Sequence, residues 1–139
     1  MEASSRKIIM FTTITVMACL FMLSCATTRK PANVDSQAAI EWQLTDQAEI
    51  TSFTSEMGTF KNDPALTYTV SVKNTTTTPQ RYRLNIFLLD QDKAAGHLIP
   101  RTGKPPVVNP GETVTVKVPF IKTTTDSKKL LVVLKTMAN

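Results

Sequence analysis

Few side chains in this sequence carry chemistry of their own. Cys19 and Cys25 are the only cysteines among 139 residues. Both lie in or at the end of one apolar run near the start, so the rest of the chain has no internal disulfide and no thiolate metal cluster. His97 is the only histidine. A catalytic or metal-bound imidazole needs a partner, and Asp90 and Asp92 are the carboxylates nearby in "DQDKAAGH". That stretch is polar and contains Gly and Ala, the composition of a solvated loop. Two carboxylates alone make a weak Ca²⁺ site; capping turn amides is their simpler use. There is no Gly-rich phosphate loop, no Gly-x-Ser-x-Gly elbow and no metalloprotease helix motif. The expectation is a protein that is not an enzyme and holds no metal or cofactor.

The cations form a more suggestive group. Arg81 and Arg83 fall on one face of a predicted strand, and Lys93, Arg101 and Lys104 follow in the next loop. If that loop folds back over the strand, the five form a basic contact patch. Such a patch suits lipid phosphates, peptidoglycan carboxylates or an acidic protein surface. The plainer reading is a solvated face whose charges discourage edge pairing. No basic tract is interleaved with aromatics, which argues against nucleic acid.

Stepping to the whole chain, 42% of residues are hydrophobic and 19% charged. That is a globular composition, of a length for one domain. The formal charge is +5. Removing residues 1–24 takes away Arg6, Lys7 and Glu2, leaving +4. Residues 1–7 are polar and basic. Residues 8–23, "IIMFTTITVMACLFML", are apolar and shorter than the roughly 20 residues a spanning helix prefers. Ser24, Cys25 and Ala26 follow. A basic start, an apolar run and small residues at its end make a secretory signal. An uncleaved anchor is the alternative.

Residues 26–37, "ATTRKPANVDSQ", have no clear period and read as a tether of roughly 20 Å. From residue 38 the pattern is that of strands. "AIEWQL" alternates over 39–44, and "EITSF" over 49–53 reads as a short strand before an Asn62-Asp63-Pro64 turn. "LTYTVSVKN" over 66–74 sets Leu66, Tyr68, Val70 and Val72 on one face. "RYRLNIFLLD" over 81–90 sets Tyr82, Leu84, Ile86 and Leu88 on one face, while Phe87 and Leu89 suggest cover on the other. "HLIP" reads as a short edge strand. "NPGE" is a turn, "TVTVKVPF" over 113–120 alternates again, and "KLLVVLKT" over 129–136 is apolar enough to be central. With no long helix in residues 38–139, the fold expected is all-β: an immunoglobulin-like antiparallel β-sandwich of six or seven strands.

Two resemblances add to this. Met22-Leu23-Ser24-Cys25 resembles the lipobox of bacterial lipoprotein signals, with Met22 in place of the favoured Leu. Val16-Met17-Ala18-Cys19 fits the loose pattern too, but would leave "LFML" at the new N-terminus. The resemblance implies that residues 1–24 are a signal, and that Cys25 is lipidated and starts the tether. Its thiol would take a diacylglyceryl group and its amine a third chain; several chains anchor where one does not. With Ala26 rather than Asp after the cysteine, the resemblance implies the periplasmic face of the outer membrane.

The run "YTVSVKNTTTTPQRYRLNIFLLDQDKAAG…NPGETVTVKVPF", within residues 66–120, resembles FxLYD-type immunoglobulin-like domains of bacterial lipoproteins. Asn74-Thr75, Asp90 and Pro110-Gly111-Glu112 hold the matching places, with Ile86 where Phe and Leu89 where Tyr is expected. Together these imply a non-catalytic binding or structural module of the cell envelope. Its partners would be the membrane, through the lipid on Cys25, and an envelope protein that the sequence does not identify. A soluble secreted binding protein, or an accessory subunit of a surface structure, is the alternative.

Overall fold

The computed structural model describes residues 31–137. The segment read as a signal, Cys19, Cys25 and the first part of the stretch read as a tether lie outside the described residues. Eight strands follow in order: β1 Val34–Asp35, β2 Ala39–Leu44, β3 Ala48–Phe60, β4 Asp63–Asn74, β5 Tyr82–Leu88, β6 Lys93–Ile99, β7 Thr113–Ile121 and β8 Lys129–Thr136. They form two four-stranded sheets, ordered β1-β3-β4-β7 and β2-β8-β5-β6. The all-β sandwich is therefore the fold. Two details correct the expectation. There are eight strands rather than six or seven, and the sheets are mixed rather than antiparallel. β1 runs parallel to β3, and β2 runs parallel to β8 over its whole length. β1 falls inside the stretch read as tether, and Pro31 is already buried.

Alternation builds the core. On β4 the side chains of Leu66, Tyr68, Val70 and Val72 are buried, and on β5 those of Tyr82, Leu84, Ile86 and Leu88. β8 lies between β2 and β5, as its apolar run suggested. A chain of aromatic rings crosses the two layers. Trp42 of β2 meets Phe53 edge-on at 5.2 Å, Phe53 tilts against Tyr68 at 5.2 Å, and Tyr68 meets Phe120 edge-on at 5.8 Å. Such pairs contribute beyond their buried area. They hold together a core that has no disulfide.

Three elements differ from the sequence reading. β3 is 13 residues long and not a short strand over 49–53. Its register shifts between Ile50 and Ser52, so Thr51 is a bulge residue. The extra residue moves burial from even to odd positions: Ala48 and Ile50 face inward before it, Phe53 after it. The following turn is Lys61-Asn62, both left-handed at φ 51° and 70°. Two such residues match the twist of a two-residue hairpin. Pro64 then belongs to β4, opposite Thr59.

β6 begins at Lys93, well before "HLIP". Gly96 allows this, because a Cβ there would lie 2.9 Å from Asn85 Oδ1 on the neighbouring strand. The cover expected over Phe87 and Leu89 is not supplied by the described residues: Leu89 is 53% exposed. The outer face of this sheet still carries half-buried Phe87, Leu98 and Leu131 beside buried Val133.

Phe53 sits at the crossing of the two layers and is fully buried. Phe53→Ala should lower stability by about 3–5 kcal/mol through the cavity it leaves. Leu89→Ala, on the exposed side, should change it by less than about 0.5 kcal/mol. Urea unfolding midpoints of the two variants check the pair.

Candidate functional site

The strand directions gather one set of loops at one end of the sandwich, here termed the proximal end. Ala48, Asn74, Tyr82, Ile99, Thr113 and Thr136 all lie there, since each starts or ends a strand paired in register with its neighbours. The chain also reaches β1 from this end. β1 is parallel to β3, with Val34 opposite Phe53, so residues before Val34 run back toward Ala48. The Asn33 carbonyl accepts the Phe53 amide at 2.9 Å.

Asn74 organises these loops. It continues the inward phase of β4 and is fully buried, so its amide must find partners inside. Its Nδ2 donates to the Thr78 carbonyl at 2.8 Å and to the Val108 carbonyl at 2.9 Å. Its Oδ1 accepts from the Thr76 amide at 2.9 Å and the Thr76 hydroxyl at 2.8 Å. Its backbone carbonyl accepts from Gly111, and its amide donates to Glu112. Gly111 has φ 75°, with Pro110 before it; this is the Pro-Gly turn the sequence announced. Glu112 Oε2 closes the turn by accepting from the Asn109 amide and side chain. Gln80 and Val108 exchange two backbone bonds, at 3.0 and 2.7 Å, joining the loop 75–81 to the loop 100–112.

Between the joined loops lies a cleft of about 990 Å³. Arg81 and Lys104 line it, with Pro79, Pro105, Pro106 and Met137 among the apolar contributors. Arg81 Nε is buried and has no hydrogen-bond partner among the described residues. An unmade bond of this kind costs about 1–3 kcal/mol, more for a charged group. Among the described residues a single ion pair is found, Lys117 with Glu56 at 3.7 Å, and neither residue is at this end.

The predicted basic patch is thus partly assembled. Arg83 lies on the outer face of β5, its guanidinium near Gly96. Arg101 lies close enough to His97 to act on its charge state. Together with Arg81 and Lys104 these make four proximal cations. Lys93 is not among them. It pairs with Leu88, whereas Arg83 pairs with Leu98, so it sits at the other end of the β5–β6 hairpin. Its ammonium is engaged by the Lys122 carbonyl and the Thr123 hydroxyl, both at 2.8 Å. Lys135, which sequence reading missed, stands opposite Arg83 through the β5–β8 pairing. Only that pairing identifies it.

His97 lies on β6 opposite Leu84, in the core-facing phase. Burial, then the charge of Arg101, holds its pKa below the ordinary imidazole value. Asp90 sits at the distal end, where it accepts from the Ser127 hydroxyl and the Lys128 amide. Those bonds, the Ser127 one foremost, hold its pKa below the usual carboxylate value. The imidazole and this carboxylate are therefore at opposite ends of the hairpin. No cluster of three or more metal-ligating side chains occurs among the described residues. Tyr68 is pushed up to about 12 by burial and by Asp126 and Asp90, and Tyr82 to about 12 by burial. Tyr82 donates its hydroxyl to the Gln47 carbonyl at 2.9 Å, another tie across the proximal loops.

No known family model, no curated protein and no solved structure matches the chain.

Two outcomes follow from this geometry. Asn74→Ala removes four side-chain bonds; the Val108 carbonyl keeps only the Gln80 amide and the Thr78 carbonyl only the Thr76 hydroxyl. The loss should be about 3 kcal/mol, and thermal unfolding checks it. His97 has a folded pKa below its unfolded value of 6.5. The unfolded state then binds more protons as pH falls through 6.5, so stability declines below that pH. His97→Asn should flatten this part of a stability-against-pH curve, leaving the further decline below 3.8 that Asp90 contributes.

Proposed function

We propose that this chain is a non-catalytic, lipid-anchored module of the cell envelope, acting by binding or structural support. The observation that carries the reading is the sequence order: a basic start, an apolar run, Ser24-Cys25-Ala26, then a β-sandwich already paired at Val34. Cys25 is the proposed acyl acceptor, and the periplasmic face of the outer membrane the proposed location. The proposed protein partner is another envelope component. The polar proximal loops and the open edge of β3 beyond Thr54, where pairing with β1 stops, are surfaces suited to it.

A soluble secreted protein is the competing reading, favoured by the same Ser24-Cys25-Ala26, which also fits a small-x-small cleavage site. Intact mass of the membrane-extracted protein decides between them. The expected mass is that of residues 25–139 plus acyl chains, absent from a Cys25→Ser variant. A mass beginning at Thr27 without lipid would establish the soluble reading instead.

A further inference from the structure

We propose that the Arg81–Lys104 cleft is a docking site for the phosphate groups of anionic phospholipids, and sets the proximal end of the sandwich against the membrane. The inference deepens the lipid-anchored reading and rests on it for the position of the membrane.

The donors come first. Arg81 lines the cleft, and its Nε–H is buried without a partner among the described residues. A guanidinium presents a planar fork of donors that matches a phosphate, and Lys104 adds a second cation from the facing loop. No ion pair within the described residues engages either side chain. The carboxylate of the same loop, Glu112, is turned onto Asn109.

The setting is preorganised. The Gln80–Val108 bonds fix the two loops against each other, the Met137 amide donates to the Arg81 carbonyl at 2.7 Å, and Asn74 holds both loops from beneath. Little ordering remains to oppose binding. Gly103, at φ 147°, lets the loop fold tightly back; a Cβ there would lie 3.0 Å from Pro105 O and Pro106 Cα.

A free phosphate ion would meet the same donors. The walls favour a lipid. Pro79, Pro105, Pro106, Val107 and Met137 give the cleft apolar sides, which suit an interface between headgroups and water better than a small ion in solution. Arg83, Arg101 and Lys135 surround the same end, and each basic side chain near an anionic leaflet adds to the attraction.

The described chain enters the sandwich at this end from Pro31, and Arg29 and Lys30 precede Pro31 in the sequence. Cys25 is six residues before Pro31, a reach of at most about 20 Å in extended chain. A membrane holding the lipid of Cys25 would lie within that reach of Pro31, at the end of the sandwich that carries the cleft.

The test uses the membrane-extracted full chain, reconstituted into phosphatidylcholine vesicles with and without phosphatidylglycerol. Amide hydrogen exchange of residues 75–81 and 100–109 is the readout. Exchange should slow several-fold with phosphatidylglycerol present, and recover in high salt. Arg81→Gln and Lys104→Gln should each remove most of the slowing. Lys61→Gln and Lys122→Gln, which remove the same charge at the distal end, should keep it. Circular dichroism of each variant reports folding, and exposed Lys104 keeps the test open should Arg81→Gln unfold.

Equal exchange in both vesicle types, or equal loss in the distal variants, would overturn the proposal. So would full reproduction of the slowing by inorganic phosphate in detergent micelles with no further effect of vesicles. Intact mass of the same sample reports acylation separately. A chain without acyl groups sinks the anchoring reading alone, and its cleft can still be probed by adding it to vesicles from solution.

Discussion

The phase of β4 is the constraint on which the rest of the structure depends. Its alternate residues Leu66, Tyr68, Val70 and Val72 are buried because a pleated strand turns every second side chain to the same face. The same phase carries one step further and buries Asn74, a polar group. A buried amide must be bonded or it destabilises the fold. Asn74 meets that requirement by taking its partners from Thr76, Thr78 and Val108. The strand that builds the core thus also dictates that two distant loops close together over its end. The cleft follows from that closure.

A similar logic separates the two ends of the molecule. At the distal end the polar side chains satisfy one another. Lys93 is bound by Lys122 and Thr123, and Asp90 by Ser127 and Lys128. At the proximal end the carbonyls and amides are matched by Asn74, Tyr82 and Glu112, while the cations Arg81, Arg83, Arg101, Lys104 and Lys135 have no acidic partner within ion-pair distance among the described residues. Structural needs at this end are met by neutral groups and one carboxylate. The basic side chains contribute field rather than scaffold.

Much of the fold was legible because most of the described strands are built on period two. β4, β5 and β7 each show their inward face in the sequence, β8 shows its central place by its unbroken apolar run, and "NPGE" announces its turn. β3 was hidden by its own bulge: Thr51 breaks the alternation at the point where the strand continues. β6 was hidden because Ala94, Ala95 and Gly96 offer no large apolar side chain, and Gly96 reflects close packing against Asn85 rather than a loop. The site was legible only in part. Arg81, Arg83, Arg101 and Lys104 were named from sequence, but nothing in "DQDKAAGH" shows that a hairpin carries Lys93 to the far end. Lys135 and Met137 enter through the pairing of β8 with β5, a contact between residues some fifty positions apart, which no local pattern encodes.

The parallel pairs carry the least expected consequence. In an all-antiparallel sandwich β1 would run against β3, and the residues before Val34 would head toward Phe60 and the distal turn. Because β1 runs with β3, they head instead toward Ala48. β2, parallel to β8, then ends beside Thr136, where Thr45 and Thr136 share a hydrogen bond at 3.0 Å and the chain crosses to β3. The parallel β1–β3 contact therefore places the entry of the described chain at Pro31 and the basic loops at the same end. Strand direction, more than the charges themselves, decides that the chain enters the sandwich at the end that carries the basic loops.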